Sequence, residues 1–340
     1  STNSQLIKSR SYVNYNKDTK GDIIATQFSD KVIAFLYQNA VGVSTVNYDF
    51  NNYFPTNFNI VDIGVGNSYV NYGDTFSTIP LIIAGYVSNT STYNNYILSY
   101  PITIDGNYNV QNIGFQSYCS TNETYITSIA CGMNLVKQEK INNSGTVYDW
   151  VSSNYNVCAG FNDGLISVYS DVNGGFGTYV TFNDPTLRLA YQGYGSSLSS
   201  IDTIQVLPYK QEKSSPYNPP YCLLVSQKDS SVSVYGFSTT SLGQFDFYYY
   251  TNQLVNGSAA SNYGTVKYFT VSEAFSNIYD YYILGLTDEG YGMQIYSYTS
   301  TPNTFYYSNE FSFSGKPTSC FFSFDANSDT NYSYYQTYFT

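Results

Sequence analysis

A hairpin pattern that recurs five times restricts the fold of this chain more than any other feature of its sequence. Each copy has an apolar run, a short turn rich in Asn, Asp or Gly, and an alternating run that ends in tyrosine. The terminal tyrosines, at intervals of 52, 69, 66 and 61 residues, are Tyr48, Tyr100, Tyr169, Tyr235 and Tyr296. Apolar and polar residues alternate at period two, which indicates strands, and long amphipathic helical stretches are missing. The sequence therefore predicts an all-β fold made of repeated antiparallel units.

Further strand-like runs flank the hairpins, so that the chain divides into six units of about four short strands. The predicted first strands lie near Asp22–Phe28, Tyr69–Asn71, Tyr125–Ala130, Thr203–Leu207, Val266–Val271 and Thr318–Phe324. The predicted second strands lie near Val32–Tyr37, Leu81–Tyr86, Val157–Phe161, Cys222–Val225, Tyr282–Leu286 and Tyr332–Phe339. Two strands are predicted for the sixth unit, and we expect residues 5–15 to complete it. Such a strand would close a ring of sheets and cover edges that otherwise promote aggregation.

Four short antiparallel strands repeated every 50 to 70 residues resemble a blade of the β-propeller superfamily, over essentially the whole chain. The resemblance implies one domain over residues 1–340 with six four-stranded blades. Seven blades and a tandem pair of β-sandwiches are the alternatives. The Trp-Asp and Gly-His motifs of WD40 repeats and the Gly-Gly and Trp pattern of kelch repeats are absent. The resemblance therefore implies an architecture and no named family within it.

The side-chain inventory excludes several kinds of chemistry. The 340 residues include 41 tyrosines and no histidine, which rules out a Ser-His-Asp triad and the usual zinc-ligand spacings. The net charge is −11 and the 13 basic residues are scattered, so the basic face of a nucleic-acid-binding protein is missing. Apolar runs long enough for a membrane helix are also missing. We therefore expect neither a nucleic-acid partner nor a membrane span.

The charged fraction is unusually low, at 11%. In an acidic medium Asp and Glu are protonated, whereas hydroxyls and amides bind water at any pH. The composition resembles that of secreted and virion surface proteins of thermoacidophilic archaea and their viruses, and it favours an extracellular protein from an acidic habitat. An AT-rich genome that enriches Tyr, Asn and Ile is the alternative. No basic region followed by an apolar run is recognisable, so we expect any secretion signal to have been removed or never to have been present.

One acidic segment has the oxygen spacing of a calcium loop. Asp325, Asn327 and Asp329 occupy alternate positions, which resembles the loops of EF-hands and of integrin-type propellers. Thr330 replaces the glycine of the sharp turn, and Gln336 stands where an EF-hand has a bidentate Glu. A structural calcium site and an ordinary Asx-rich turn are the two alternatives, and no other cofactor is expected.

Four carboxylates near predicted strand ends are candidates for glycoside hydrolysis, which needs a pair of them. These are Asp22, Asp62, Asp202 and Glu273. Their spacing does not pair them, so we expect each to serve in a turn or a hydrogen bond.

Two insertions, residues 134–153 and 209–220, follow predicted first strands of neighbouring blades. They should emerge on the same face of a propeller, and long loops on a rigid scaffold are common binding sites. The candidate partner-binding residues in them are Tyr148, Trp150, Tyr209 and Tyr217.

Candidate covalent sites are sequons and cysteines. N-glycosylation sequons occur at Asn89, Asn122, Asn142, Asn256 and Asn331. A disulfide between two of Cys119, Cys131 and Cys158 is one alternative, and buried free thiols are the other.

Three functions are compatible with these observations. The first is a non-enzymatic extracellular structural or adhesive protein, a subunit of a surface layer, filament or virion that associates with itself or with other surface proteins. The second is a carbohydrate-binding propeller, because tyrosine rings stack on sugars and tyrosine hydroxyls hydrogen-bond them. The third is a glycoside-cleaving enzyme, which would require clustered carboxylates.

Overall fold

The computed structural model describes most of the chain in segments. The described residues are 6–14, 21–28, 32–38, 43–49, 56–65, 69–70, 77–104, 110–112, 116–142, 145–170, 188–195, 197–207, 210–211, 221–228, 230–239, 245–251, 263–264, 266–273, 279–298, 305–324 and 335–340. The candidate calcium residues Asp325, Asn327 and Asp329 lie outside these segments, as do Tyr209, Tyr217, Asn256 and Asn331.

Twenty-five strands in these segments form six sheets. Blade 1 contains β1 (Leu6–Asn14), β2 (Gly21–Phe28), β3 (Val32–Gln38) and β4 (Val43–Asp49). Blade 2 contains β5 (Asn59–Val65), β6 (Tyr69–Val70), β7 (Ser77–Ser88), β8 (Tyr93–Ile104), β9 (Val110–Asn112) and β10 (Gln116–Asn122). Blade 3 contains β11 (Ile126–Asn142), β12 (Gly145–Phe161), β13 (Leu165–Ser170) and β14 (Arg188–Tyr194).

The later blades follow the same scheme. Blade 4 contains β15 (Ile201–Leu207), β17 (Tyr221–Gln227), β18 (Ser230–Thr239) and β19 (Phe245–Thr251), while β16 (Lys210–Gln211) pairs with β11 of blade 3. Blade 5 contains β20 (Val266–Glu273), β21 (Tyr279–Thr287), β22 (Gly292–Tyr298) and β23 (Phe305–Phe311). Blade 6 contains β24 (Cys320–Phe324) and β25 (Tyr335–Phe339) within the described segments.

The first strands of the six sheets are neighbours in the order β1, β5, β11, β15, β20, β24, and β24 lies beside β1. This circular order defines a six-bladed β-propeller, as the sequence predicts, and excludes a tandem pair of β-sandwiches. Because the strands are antiparallel, the connections between blades and the turns between second and third strands lie at one end of the propeller. We call it the connection end. The turns between first and second strands lie at the opposite end.

A bulge recurs near the start of the first strand in five blades. The ladder shifts between Leu6 and Lys8, Ile60 and Asp62, Ile126 and Ser128, Ile201 and Thr203, and Val266 and Tyr268. A polar side chain at this bulge links blade 2 to blade 3, blade 3 to blade 4 and blade 4 to blade 5. Ser128 Oγ donates to Asp62 Oδ2 over 3.1 Å and accepts from the Ile204 amide over 3.1 Å, and Thr203 Oγ1 donates to the Lys267 carbonyl over 2.7 Å.

The apolar core lies between the faces of adjacent blades. One buried cluster joins blades 2 and 3 and comprises Ile82, Ala84, Ile97, Ile126, Ile129, Val157, Ala159, Phe161 and Tyr169. Another joins Leu284 and Leu286 of blade 5 to Cys320 of blade 6, with Phe339 packed against it. Cys158 and Cys320 are buried free thiols, so the disulfide alternative is wrong for Cys158. Burial raises the pKa of the Cys158 thiol to about 12.

The structure corrects the assignment of the first blade. β1 pairs with β2 along its whole length, so residues 5–15 do not complete the last blade. β1 still lies next to that blade, because Thr318 Oγ1 donates to the Ile7 carbonyl over 3.3 Å. Blade 1 is therefore shifted by one strand relative to the prediction: Asp22–Phe28 belongs to the second strand, and Tyr48 lies on the fourth.

In blade 2 the first strand is β5, which pairs with β7 over most of its length, and the predicted Tyr69–Asn71 overlaps the short β6. Tyr100, Tyr169, Tyr235 and Tyr296 lie on third strands, as predicted. In the described part of the chain, no helix has the length and hydrophobicity needed to cross a membrane.

Candidate functional site

Three tyrosine rings meet at the connection end, where blade 2 is joined to blade 3. Tyr86 and Tyr93 flank the β7–β8 turn, and Tyr125 immediately precedes β11. The Tyr86 ring lies 5.4 Å from the Tyr93 ring and 4.8 Å from the Tyr125 ring, and the Tyr93 and Tyr125 centroids are 4.9 Å apart. All three side chains are partly exposed. We call this group the tyrosine cluster.

Local pairing explains why Tyr86 and Tyr93 meet. In the β7–β8 ladder Tyr86 is opposite Asn95, and Ser88 is opposite Tyr93. Tyr86 and Tyr93 are therefore diagonal neighbours on one face of the hairpin, within reach of two aromatic side chains. This face is turned toward blade 3, because Asn95 on the same face bonds to the chain that enters β11.

Two asparagines hold Tyr125 in place. Asn95, which is buried, donates from Nδ2 to the Thr124 carbonyl over 2.8 Å and accepts from the Ile126 amide over 3.0 Å. Asn162 of blade 3 accepts from the Tyr125 backbone amide at its Oδ1 over 3.0 Å, and the Asn162 backbone amide donates to the Tyr125 carbonyl over 3.1 Å. The backbone on both sides of Tyr125 is thus fixed, and its ring packs against the rings of Tyr86 and Tyr93.

Polar groups border the tyrosine cluster, and the exposed Glu123 lies two residues before Tyr125 in the chain. Asn122 and Ser120, which are opposite Tyr93 and Asn95 in the β10–β8 ladder, lie on the same face as the cluster, and Asn122 Nδ2 donates to Ser120 Oγ over 3.1 Å. Burial, followed by the phenols of Tyr125 and Tyr93, raises the pKa of Tyr86 above its ordinary value. Its hydroxyl therefore stays protonated at ordinary pH and can both donate and accept a hydrogen bond.

A second aromatic patch lies at the connection end of blade 5. The Tyr263 and Tyr291 rings are 5.2 Å apart and nearly perpendicular. Tyr263 donates its hydroxyl to Glu310 Oε1 over 3.3 Å, and the Glu310 carboxylate is the main reason that the pKa of Tyr263 is raised. This patch combines an aromatic surface with a charged acceptor, so it is chemically different from the tyrosine cluster.

The predicted carboxylates do not form an exposed pair where their side chains are described. Asp62 is 0% exposed and accepts from the Ile63 and Ile129 amides, each over 2.9 Å, and from Ser128. Asp202 lies 3.8 Å from Lys267 Nζ. Asp22 lies on β2 and Glu273 on β20, and only their backbone is described. Within the described segments, no three Cys, Asp or Glu side chains are grouped as metal ligands.

The insertions lie at the end of the propeller opposite the tyrosine cluster. Residues 134–153 continue the β11–β12 ladder up to the Asn142–Gly145 pair, with Tyr148 opposite Glu139 and Trp150 opposite Lys137. Lys210 and Gln211 of the second insertion pair with Leu135 and Val136, which joins the two insertions. Their role in binding a partner stays a prediction.

Two of the predicted sequons, Asn89 and Asn122, have exposed side chains beside the tyrosine cluster, and Asn142 ends β11. The sequence pattern does not predict the tyrosine cluster, although it contains a signal for it. Tyr86 and Tyr93 flank the Asn-Thr-Ser turn, and Tyr125 precedes the first strand of the next blade. Nothing local reveals that Tyr125 folds back against that turn.

The fold and this surface define a six-bladed β-propeller with an aromatic site at its connection end. No family model and no curated protein matches the chain. Among solved structures, the SapL1 lectin in complex with alpha methyl fucoside is similar over 100% of this chain and 89% of its own, at 8% identity and a TM-score of 0.48.

Two further solved structures have the same low identity. The Aleuria aurantia lectin, a six-bladed β-propeller with a fucose recognition mode, matches 90% of this chain and 95% of its own, with 8% identity and a TM-score of 0.35. A chain of the mitotic checkpoint complex matches 94% of this chain and 81% of its own, with 8% identity and a TM-score of 0.37. The six-bladed assignment follows from the sheets of this chain.

Proposed function

We propose that this protein is a non-enzymatic carbohydrate-binding propeller that uses the tyrosine cluster to bind sugars outside the cell. The observation that carries the proposal is the contact of three partly exposed tyrosine rings, with centroids 4.8 to 5.4 Å apart, beside the hydrogen-bonded amide of Asn122 and hydroxyl of Ser120. Sugar rings present apolar C–H faces that pack on aromatic rings and hydroxyls that bond to such a border.

The rigidity of the cluster supports the proposal. Asn95 and Asn162 fix the backbone around Tyr125 from two different blades. A preorganised aromatic surface loses little conformational entropy when a ligand binds, and tyrosine has only two rotatable side-chain angles to immobilise.

Glycoside cleavage is not part of this proposal, because the reaction needs two accessible carboxylates. Asp62 is buried, and both of its oxygens accept hydrogen bonds from the protein. The extracellular location is proposed from composition: a surface wetted by hydroxyls and amides, with 11% charged residues, suits an external medium of variable or acidic pH.

The proposal is tested by screening the purified protein on a glycan array and titrating the best ligand calorimetrically. Tyr93→Ala should weaken binding about tenfold or more, because it removes one ring of the tyrosine cluster. Tyr93→Phe should weaken binding less, because it keeps the ring. Tyr194→Ala is the matched control, since Tyr194 is exposed at the end of β14, the fourth strand of blade 3, and is not one of the three clustered rings.

Equal affinities of the parent and the Tyr93→Ala variant for every array ligand would exclude the tyrosine cluster as the sugar site. A loss of the same size in Tyr194→Ala would also contradict the proposal, because it would mean that the effect is not specific to the cluster.

A structural or adhesive subunit of a surface layer, filament or virion is the second candidate. The exposure of Leu198 (72%) and Tyr194 (54%) near the connection between blades 3 and 4 favours it, because exposed apolar side chains suit subunit packing. Negative-stain microscopy separates the two candidates. Ordered polymers favour a structural subunit, and single particles that bind immobilised glycans favour a carbohydrate-binding protein.

A further inference from the structure

The sequon asparagine Asn122 is directly opposite Tyr93 in the ladder between β10 and β8. Directly opposite residues of an antiparallel pair have their side chains on the same face, with Cβ atoms about 4.5–5.5 Å apart. Asn122 is exposed, and Thr124 completes its Asn-Glu-Thr sequon. The side chain that would carry a glycan therefore lies at the border of the tyrosine cluster.

The hydrogen bonding of Asn122 leaves room for modification. Its Nδ2 donates one hydrogen to Ser120 Oγ over 3.1 Å, and the amide nitrogen has two hydrogens. N-glycosylation replaces one N–H and retains the other, so the attached chain need not break the bond to Ser120.

We propose that Asn122 is N-glycosylated and that its first sugar ring packs on Tyr93, so that the protein's own glycan covers the tyrosine cluster and limits its access to other sugars. This inference rests on the proposed function, because it describes the regulation of the same site. In the modification, Asn122 Nδ2 forms a bond to the anomeric carbon of a lipid-linked diphospho-oligosaccharide. The bond from that carbon to the phosphate oxygen breaks, and the lipid diphosphate leaves as the amide loses one proton.

Asn89 is a matched control for Asn122. It is also an exposed sequon residue, and it lies in the turn between β7 and β8. There its backbone amide donates to the Thr92 carbonyl over 2.8 Å. It lies beyond the last ladder pair, Ser88 and Tyr93, and so has no aromatic residue opposite it. A glycan on Asn89 would add similar bulk without a ring directly across the ladder.

The test uses the full chain produced in a host that performs N-glycosylation, with mass spectrometry to measure occupancy at Asn122. The soluble probe is the disaccharide of N-acetylglucosamine. Asn122→Gln should bind the probe about tenfold more tightly than the parent because the cluster is uncovered, whereas Asn89→Gln should bind it like the parent. Protein from a host without N-glycosylation should bind it like Asn122→Gln.

A thermal melt provides a second measurement that does not require the probe to bind. The glycosylated parent should melt about 2 °C or more above Asn122→Gln, and this difference should vanish when both proteins also carry Tyr93→Ala. That coupling would support the inference even if no soluble sugar binds, a result that would count against the proposed function alone.

Three results would overturn the inference. An unmodified Asn122 would do so while leaving the proposed function intact. Asn122→Gln could also lower the melting temperature by the same amount in the parent and in the Tyr93→Ala background. That result would show that the glycan does not pack on the Tyr93 ring. Equal effects of Asn122→Gln and Asn89→Gln on probe affinity would indicate general shielding by glycan bulk.

Discussion

At the scale of single residues, Asp62 has the most consequential environment among the carboxylates whose side chains are described. It lies on the first strand of blade 2 and accepts hydrogen bonds from the Ile129 amide and the Ser128 hydroxyl of blade 3. A buried carboxylate is stable only when its oxygens accept several hydrogen bonds. Here the donors come largely from the next blade, so Asp62 couples the folding of the two sheets.

Replacing Asp62 with alanine should lower the free energy of unfolding by about 3–5 kcal/mol, because it leaves two amides and one hydroxyl in the core without their acceptor. Asp163→Ala is the control. Asp163 Oδ1 accepts from the Leu165 amide over 3.1 Å at a partly exposed turn, where water can replace it. Urea denaturation of both variants provides the comparison. Similar losses in the free energy of unfolding of the two variants would show that the burial of Asp62 does not increase its contribution to stability.

At the scale of the strands, close packing between blades depends on a glycine in β12. A Cβ atom added to Gly160 would lie 2.6 Å from the Cβ of Ile201 and against its Cγ2. Ile201 begins the first strand of blade 4 and is fully buried. The absence of a side chain at position 160 therefore allows two neighbouring blades to approach.

Gly160→Ala should destabilise the protein by about 1–3 kcal/mol, because the core must shift to accept the methyl group. Gly315→Ala is the matched control, since a Cβ there would have no atom within 4 Å. Thermal unfolding monitored by circular dichroism measures both. A loss in Gly160→Ala no larger than in Gly315→Ala would contradict the proposed contact between blades.

The strand register also explains why the sequence misassigned the first blade. Period-two patterns identify Asp22–Phe28 and the N-terminal run as strands, but they do not state which strand each will pair with. β1 reaches β2 through a short connection between Asn14 and Gly21, whereas joining the last blade would close a loop of most of the chain. The entropic cost of closing a loop rises with its length, so the local hairpin is favoured.

At the scale of the whole molecule, the low charged fraction bears on the response to pH. Asp202 lies 3.8 Å from Lys267 Nζ, which also donates to the Gln227 carbonyl over 2.6 Å. Burial raises the pKa of Asp202, against the opposing effect of Lys267 and Lys228. Because the folded state favours the protonated carboxyl, this group stabilises the fold at low pH, and its contribution is lost as pH rises through its folded-state pKa.

The Asp202→Asn variant should therefore gain stability relative to the parent as the pH rises from about 3 to about 6. Urea unfolding at both pH values tests this expectation. A parent that gains stability over the variant as pH rises would indicate that the Lys267 ion pair dominates burial. A parent whose stability collapses below about pH 4 would also count against an acidic habitat.

Local chemistry in the sequence determined the all-β class, the repeated hairpins, the six blades and the low charged fraction. Alternation at period two, turn residues and composition act within a few residues, so they can be read without the fold. The tertiary structure alone decided which strand begins blade 1, how Asp62 reaches Ser128, and how Tyr125 meets Tyr86 and Tyr93. The pairing of β1 with β2 is a choice among possible partners that the alternating pattern does not make. The contacts of Asp62 and of the three tyrosines join residues far apart in the chain, and only the packing of one blade against the next brings them together.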